Sequence, residues 1–199
     1  LKAQGKQEKA VFAGGCFWCM EKPFEQLGGV SSVNSGYTGG TSGNPTYKDY
    51  GSGGHIEAVE IVFDPTKVSY RQLLEVYWQQ VDPTDSGGQF VDRGHSYTTA
   101  IFYNSPEQQK QAEESKKELQ ESGIFEKPIV TPILPAEKFY LAEDYHQDYY
   151  SKNPIRYRFY RRGSGRDQFL KKTWDGKTYP GKAMPVDLKK KLSRLQYHV

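Results

Sequence analysis

Apolar and polar residues alternate along several short stretches of the chain, and this pattern predicts strands. Residues 55–63 alternate most clearly. Glu57, Val59, Ile61 and Phe63 fall on one face of that stretch, and residues 56, 58, 60 and 62 fall on the other. A short apolar run at 9–13 ends at two glycines and predicts a buried strand. Further strands are predicted over 30–35, 97–103 and 129–131.

Helices are predicted where capping residues precede a mixed apolar and polar stretch. Ser69 is placed to cap a helix that runs to about residue 80. Ser105, Pro106 and Gln108 combine a capping box with a proline at the first helical position, so a helix should run from there to Ser122 and stop at Gly123. Two more helices are predicted, over 16–27 and over 142–150.

The order of these elements predicts the fold class. Segments 36–54 and 82–95 are rich in glycine and polar residues, and loops of that length in a compact domain are usually functional. The order β-α-β-β-α-β, with one more helix and strand, predicts an α/β domain built as an α+β two-layer sandwich. We expect a mixed sheet with a ferredoxin-like core and long loops.

Charge divides the chain into two parts. Residues 1–150 contain 13 Lys and Arg against 21 Asp and Glu, whereas 151–199 contain 14 against 3. The basic part could bind nucleic acid or anionic lipid, or it could be a solvated surface against the acidic body. No nucleic-acid motif accompanies the charge, so we predict a catalytic domain over 1–155 and a basic extension over 156–199 that packs on it. No apolar run of about 18 residues exists, which excludes a membrane span from the sequence pattern.

The chain has two cysteines, Cys16 and Cys19, in a C-x-x-C pair. A disulfide scaffold needs more cysteines, spread more widely. Zinc would need two further ligands, and the four histidines show no matching spacing. We therefore predict redox chemistry with no metal and no cofactor.

The segment around Cys16 is a candidate nucleophilic site. The predicted strand and helix put Cys16 at a helix N-terminus, where the dipole favours the thiolate. Two preceding glycines would let a substrate approach the sulfur, and Phe17 and Trp18 would form an apolar wall. The alternative is a buried free cysteine beside ordinary core aromatics.

Glu57 adds a candidate acid. It shares its strand face with Val59, Ile61 and Phe63, and apolar surroundings raise the pKa of a carboxyl group. The alternative is a carboxylate that turns out to solvent at the strand's end. A thiolate, an apolar wall and a protonated acid suit a substrate with a methyl group and a polar oxygen to remove, as in a sulfoxide.

The sequence at these residues resembles the peptide methionine sulfoxide reductase A family. The resemblance covers residues 10–155 in the family's order. It is carried by five motifs: Gly-Gly-Cys-Phe-Trp-Cys at 14–19, Gly-Tyr-Thr-Gly-Gly at 36–40 with Asn-Pro-Thr-Tyr at 44–47, Gly-His-Ile-Glu-Ala-Val at 54–59, Asp-Arg-Gly-His-Ser-Tyr at 92–97, and Tyr-His-Gln at 145–147.

The resemblance implies a role for each matching residue. Cys16 would be the nucleophile that forms a sulfenic acid, and Glu57 would protonate the sulfoxide oxygen. Tyr47 and Tyr97 would form hydrogen bonds to that oxygen. Phe17 and Trp18 would hold the methyl group, and Asp92 would shape the site. The resemblance also implies the S epimer as substrate, free or in proteins, and thioredoxin as reductant. We expect a monomer, without nucleic-acid or membrane partners; the compartment, cytoplasm or cell envelope, stays open.

The recycling step departs from the pattern of many family members, whose C-terminal tails supply the resolving cysteines. This chain has no cysteine after Cys19. Either Cys19 or an external thiol must therefore resolve the sulfenic acid. Three residues apart on a first helical turn, the two Cα atoms would lie about 5 to 6 Å apart, within disulfide range.

Two rival functions remain at this level. A thioredoxin-like disulfide oxidoreductase also has C-x-x-C after a strand, but its reaction would give no role to Glu57, Tyr47 and Tyr97. A nucleic-acid-binding module would use the basic extension. His55 and His146 are each assigned no catalytic role.

The last residues raise a question about the parent gene. Leu188, Leu192 and Leu195 recur at helical spacing, which predicts a short amphipathic helix. Residues 188–199 also resemble the opening of B-type methionine sulfoxide reductases. The chain would then be the A half of an A–B fusion, with residues before 199 leading into a linker; the alternative is a stand-alone enzyme with a basic tail.

Overall fold

A computed structural model describes residues 7–180 of the chain. The strands are β1 (Glu8–Gly14), β2 (Val30–Thr38), β3 (Ile56–Phe63), β4 (Gly88–Gln89), β5 (Asp92–Arg93), β6 (Thr99–Tyr103), β7 (Ile133–Pro135) and β8 (Tyr140–Leu141). Six of these strands form one mixed sheet in the spatial order β7-β6-β1-β3-β2-β8, and β4 and β5 form a separate hairpin.

The helices begin largely where the capping residues predict. The Ser69 hydroxyl accepts the Gln72 N–H while the Gln72 side chain accepts the Ser69 N–H, so the capping box is complete. Short 3-10 helices lie at Phe17–Cys19 and His95–Tyr97. The α-helices are α1 (Glu21–Glu25), α2 (Tyr70–Trp78), α3 (Pro106–Glu121), α4 (Tyr149–Lys152), α5 (Pro154–Gly163) and α6 (Arg166–Trp174).

The α/β prediction with a ferredoxin-like core is confirmed. The elements β1, α1, β2, β3, α2 and β6 follow one another in the chain, and their strands are arranged β6-β1-β3-β2 with antiparallel pairing throughout. Strand β7 joins the edge parallel to β6, and β8 joins the other edge antiparallel to β2. The sheet is therefore mixed, as the sequence predicts.

The predicted alternation in β3 matches the burial of its side chains. Val59, Ile61 and Phe63 lie in the main core together with residues of α2, which include Leu73 and Trp78. A smaller apolar cluster covers the opposite face of the sheet. Full burial of such side chains contributes about 1.5–3 kcal/mol each. Glu57 shares the core-facing side with these residues and is 1% exposed.

The predicted helix over 16–27 is wrong, because the structure breaks it into a 3-10 turn and the short helix α1. Pro23 explains the break. It has no N–H to donate to the Cys19 carbonyl, as a continuous α-helix would require. The Cys19 carbonyl instead accepts a hydrogen bond from Arg161 Nη1 at 3.1 Å.

Two further elements were predicted at the wrong residues. Residues 129–131 form no strand, because the N–H of Val130 bonds the Pro83 carbonyl and that of Ile129 bonds the Gln120 side chain; the strand lies at β7 instead. The helix predicted over 142–150 is mostly turns, and only α4 is helical. Strand β2 also extends to Thr38, into the segment predicted as loop.

The basic C-terminal part begins within a helix. Residue 155, the predicted domain boundary, lies inside α5, and the buried face of α5 includes Tyr157 and Arg161. The predicted amphipathic helix and the segment that resembles B-type enzymes lie at 181–199, outside the described residues. Across 7–180, no helix has both the length and the apolar character to cross a bilayer.

Candidate active site

Cys16 lies in the tight connection between β1 and the 3-10 helix, and it is 6% exposed. The two glycines before it make room for side chains of the protein itself. A Cβ at Gly15, where φ is +81°, would lie 2.6 Å from the Gln89 Cβ and 3.0 Å from Arg166 Nη2. Gly15 therefore allows the cysteine turn to pack closely against Gln89 and Arg166.

The electrostatics of Cys16 differ from the prediction of a thiolate at a helix N-terminus. Burial, and then the hydrogen bond to Cys19 and the charge of Glu57, raise the pKa of Cys16 well above its ordinary value. A three-residue 3-10 helix provides too small a dipole to outweigh that burial.

Cys19 holds the negative charge of the pair instead. The hydrogen bond from Cys16, together with the charges of Arg166 and Arg161, lowers the pKa of Cys19 to about 6 against the effect of its burial. A negative charge on this pair is therefore favoured on Cys19, with the proton on Cys16. Moving that proton from Cys16 to Cys19 places the charge on Cys16.

Glu57 is a buried acid beside this pair. Its Oε2 accepts the Phe17 N–H at 2.9 Å, and its Oε1 accepts the Tyr50 hydroxyl at 2.9 Å. Burial raises the pKa of Glu57 to about 8, although both hydrogen bonds act in the opposite direction. The carboxyl group is therefore mostly protonated near neutral pH, which is the state that can donate a proton.

Three tyrosines surround the acid. The ring of Tyr50 stacks on Tyr47 with centroids 6.0 Å apart, and its hydroxyl is hydrogen-bonded with Tyr97. Burial raises the pKa of Tyr47 to about 12, with the charges of Tyr97, Glu57 and Cys16 adding to that shift. The structure thus brings the predicted Tyr47 and Tyr97 to the same site as Glu57 and adds Tyr50.

Trp18 is held in one orientation by three neighbours. Its ring stacks on Tyr149 at 3.8 Å and meets the edge of Tyr160 at 5.7 Å. Its Nε1–H donates to His146 Nδ1 at 3.1 Å. Phe17 is buried, with its ring 5.1 Å from that of His146. The two predicted apolar residues therefore lie around one histidine, beside Glu57.

His146 is neutral and carries its proton on Nε2. Burial lowers the pKa of His146, and its Nδ1 is the acceptor for Trp18. Its Nε2 is buried without a hydrogen-bond partner among residues 7–180. His55 lies apart from this group and fixes the glycine-rich loop, since its ring bonds the Gly40 N–H and the Ser42 carbonyl.

Asp92 is connected to the site by a hydrogen bond from Tyr160. The Tyr160 hydroxyl donates to Asp92 Oδ2, and Tyr160 acts to lower the pKa of Cys16. Burial raises the pKa of Tyr160, with the charges of both cysteines adding to the shift. Asp92 therefore orients a hydroxyl group near the nucleophilic cysteine.

Several residues of the site were missed from the sequence: Tyr50, Tyr149, Tyr160, Arg161 and Arg166. Tyr50 lies in a loop without periodicity, so no pattern marked it. Tyr149 lies in the helix predicted over 142–150, where its contact with Trp18 could not be seen, and Tyr160, Arg161 and Arg166 lie in 156–199, the part predicted as an extension because of its charge. A signal was present there, since tyrosines alternate with arginines over 156–162.

The chain is similar in sequence to one family of known proteins. The family profile described as "Peptide methionine sulfoxide reductase" matches residues 8–178. A curated relative from Bacillus licheniformis, "Peptide methionine sulfoxide reductase MsrA", is 62% identical over 174 residues, which cover 86% of this chain and 96% of the relative.

Solved structures give the same result. "Methionine sulfoxide reductase A of Corynebacterium diphtheriae" is 34% identical with a TM-score of 0.67, covering 78% of this chain and 79% of that one. Reduced Mxr1 from Saccharomyces cerevisiae is 28% identical with a TM-score of 0.70, covering 75% and 87%. The same yeast protein, solved in complex with Trx2, is 21% identical over the aligned region with a TM-score of 0.51, covering 72% and 85%, and shows the fold alone.

Proposed function

The chain belongs to the peptide methionine sulfoxide reductase family and reduces methionine sulfoxide in protein repair, and from this premise we propose how its residues perform the reaction. Cys16 is the nucleophile, Glu57 is the proton donor, and the substrate is the S epimer of the sulfoxide, free or within proteins. The observation that supports this assignment best is the buried Glu57 carboxyl group, with a pKa of about 8, beside the cysteine pair.

The first step transfers oxygen from the substrate to the enzyme. With the shared proton on Cys19, the Cys16 thiolate attacks the electrophilic sulfur of the sulfoxide. Glu57 gives its proton to the oxygen. The methionine S–O bond and the transient S–S bond to Cys16 then break as the oxygen passes to Cys16, which yields methionine and a Cys16 sulfenic acid. Methionine sulfur is reduced, Cys16 sulfur is oxidised, and Glu57 takes a proton back from solvent.

The substrate is positioned by the walls of the site. Phe17 and Trp18 provide an apolar surface for the methyl group. His146 and Tyr149 hold Trp18 in place. Tyr47 and Tyr97 donate hydrogen bonds to the sulfoxide oxygen while Glu57 protonates it. Asp92 shapes the site through Tyr160.

Cys19 completes the cycle by attacking the sulfenic acid, so the Cys19→Ser variant should lose recycling but keep the first turnover. Attack by Cys19 follows methionine release, which is why a single equivalent of methionine should still form. Mass spectrometry of the wild type after one equivalent of substrate should show the loss of two hydrogens. A lasting sulfenic acid in the wild type, with unchanged turnover in the variant, would show that an external thiol resolves it.

The proposed reductant of the disulfide is a protein of the thioredoxin class, supported by the yeast relative that was solved in complex with Trx2. We also propose that the enzyme acts as a monomer and needs neither a metal nor nucleic acid. One assay tests the central assignment: turnover of the separate S and R epimers with thioredoxin and with dithiothreitol. Equal turnover of both epimers, or insulin reduction without sulfoxide reduction, would contradict it.

Tyr50 should tune the acid, so Tyr50→Phe is expected to raise the pKa of Glu57 above its value of about 8. The Tyr50 hydroxyl stabilises the ionised carboxylate, and its removal leaves the burial effect less opposed. Infrared difference spectra follow the carboxyl band through a pH titration, and Glu57→Gln identifies that band. Tyr103→Phe, on a half-buried tyrosine of β6, is the matched control. A Glu57 titration that stays in place or moves to lower pH in Tyr50→Phe would refute this arrangement.

A further inference from the structure

Arg166 carries a buried positive charge that no carboxylate neutralises within residues 7–180. It is 1% exposed, and the ion pairs of that region do not include it. Its Nη1 donates to the Gln80 carbonyl at 2.7 Å and its Nη2 to the Gly14 carbonyl at 2.8 Å. These neutral acceptors satisfy hydrogen bonds but leave the charge in place, and a buried charge without a counter-ion is costly.

The charge of Arg166 lies next to the cysteine turn. Its Nη1 is 3.7 Å from the sulfur of Met20, which directly follows Cys19 in the chain. Its Nη2 holds the carbonyl of Gly14, two residues before Cys16. The guanidinium group therefore contacts the residues on both sides of the C-x-x-C pair.

Arg161 approaches the same turn from α5. Its Nη1 donates to the Cys19 carbonyl at 3.1 Å, while its Nε is paired with Asp167 at 2.7 Å. Asp167 therefore shares the charge of Arg161, whereas Arg166 has no such partner. The effect of Arg166 on a nearby anion should be the larger of the two.

The other ionisable groups near Cys19 come from several elements. Cys16 lies on the same turn, and the rest belong to β3, β5, α5 and α6. They are Glu57, Asp92, Tyr157, Tyr160, Arg161 and Arg166. Asp92 opposes a negative charge on Cys19, so the two arginines are the groups that favour it together with the hydrogen bond from Cys16.

We propose that Arg166 and Arg161 are positioning residues that hold Cys19 as a thiolate while it attacks the sulfenic acid of Cys16. In that step the Cys19 sulfur forms a bond to the Cys16 sulfur, and the S–O bond breaks. Cys19 is oxidised and the sulfenic sulfur is reduced. The departing hydroxide takes up the proton that Cys19 has lost and leaves as water.

The arginines matter most after the first step. Once Cys16 carries a hydroxyl group, its thiol no longer donates the hydrogen bond that stabilises a Cys19 anion. The two guanidinium groups are fixed by backbone carbonyls and remain where they were. They therefore provide the stabilisation when the resolving thiolate is needed. The inference rests on the proposed role of Cys19 as the resolving thiol.

The test measures the ionisation of Cys19 alone. The chain has two cysteines, so the thiolate absorbance near 240 nm of Cys16→Ser, minus that of the cysteine-free Cys16→Ser/Cys19→Ser, reports only Cys19. In the Cys16→Ser background, Arg166→Gln should move the Cys19 titration upward by about one pH unit or more, which means about tenfold less thiolate at a pH below both midpoints. Arg166→Lys keeps the charge and should restore much of the shift.

For three further variants, the inference predicts whether the Cys19 titration moves upward, moves downward or stays in place. Arg161→Gln should move the Cys19 titration upward by less than Arg166→Gln does. Asp167→Asn should move it downward, because it leaves the charge of Arg161 unshared. Arg158→Gln, on the exposed side of α5, should leave it in place. Asp167→Asn replaces a partly accessible group, so it tests the inference even if Arg166→Gln does not fold.

Rates in the enzyme with both cysteines give an independent readout. After one equivalent of sulfoxide at neutral pH, disulfide formation should be about tenfold slower in Arg166→Gln, and dimedone should trap the longer-lived sulfenic acid. Cys19 titrations that agree within about 0.3 pH units across the arginine and Asp167 variants would overturn the inference. Absence of a Cys16–Cys19 disulfide in the wild type would instead refute the proposed resolving role, while the absorbance titration would still report on the arginines.

Discussion

The Cys16→Ser variant is expected to release no measurable methionine from the sulfoxide, even in a single turnover with enzyme in excess. A serine hydroxyl ionises far above neutral pH and is a much poorer nucleophile than a thiolate. Cys16 is 6% exposed in a close-packed turn, and oxygen is smaller than sulfur, so the substitution should fit without disturbing the fold. Methionine release is measured by chromatography after rapid mixing.

Cys19→Ser is the matched control for this experiment. It makes the same substitution three residues away in the same turn, and it should release close to one equivalent of methionine. The contrast separates loss of the nucleophile from a general effect of replacing a buried thiol. Methionine release from Cys16→Ser at a rate near that of the wild type would remove Cys16 from the nucleophilic role.

The parts of the fold that the sequence predicts well are those with strong local signals. Strand β3 has an uninterrupted period of two, and α2 has a complete capping box at Ser69. Local patterns fail where distant groups bond the backbone. Val130 was predicted in a strand, yet its N–H bonds the carbonyl of Pro83, which lies 47 residues earlier in the chain.

In the site, too, local sequence signals predict some features, and contacts with distant residues determine the others. Cys16 and Glu57 could be predicted because one is in a C-x-x-C pair and the other is a carboxyl group on an apolar strand face. The charge of Cys16 could not be predicted, because it depends mainly on how deeply the thiol is buried, and the spacing of the two cysteines does not show that burial. Arg166 was assigned to a basic surface, since composition alone cannot tell a solvated cation from one that is 1% exposed.

Glu57→Gln is expected to slow the reduction step by about 10²–10⁴-fold, the usual contribution of general acid catalysis. The amide keeps the shape of the side chain. Its oxygen can accept the Phe17 N–H, and its NH₂ group can donate to the Tyr50 oxygen once that hydroxyl turns away. It has no proton to give to the departing oxygen. Single-turnover methionine release measures the loss, and substrate affinity should change much less than the rate.

Glu60→Gln is the matched control, because Glu60 lies on the opposite face of β3 and pairs with Lys9 at the surface. Its rate should stay near that of the wild type. A Glu57→Gln rate within about threefold of the wild type, with chemistry limiting, would make Glu57 a structural residue.

The same pair of variants tests the protonation of Glu57 through stability. A carboxyl group whose pKa is raised to about 8 binds its proton more tightly in the folded state than in the unfolded state. Between about pH 5 and 8 the folded protein therefore holds one more proton, and its free energy of unfolding falls as the pH rises, by up to about 1.4 kcal/mol per pH unit. Glu57→Gln has no such proton, so denaturant unfolding should show it gaining stability relative to the wild type across that range, whereas Glu60→Gln should not. Parallel curves for wild type and Glu57→Gln would mean that Glu57 is ionised in the resting enzyme, and the proton for the sulfoxide would have to come from elsewhere.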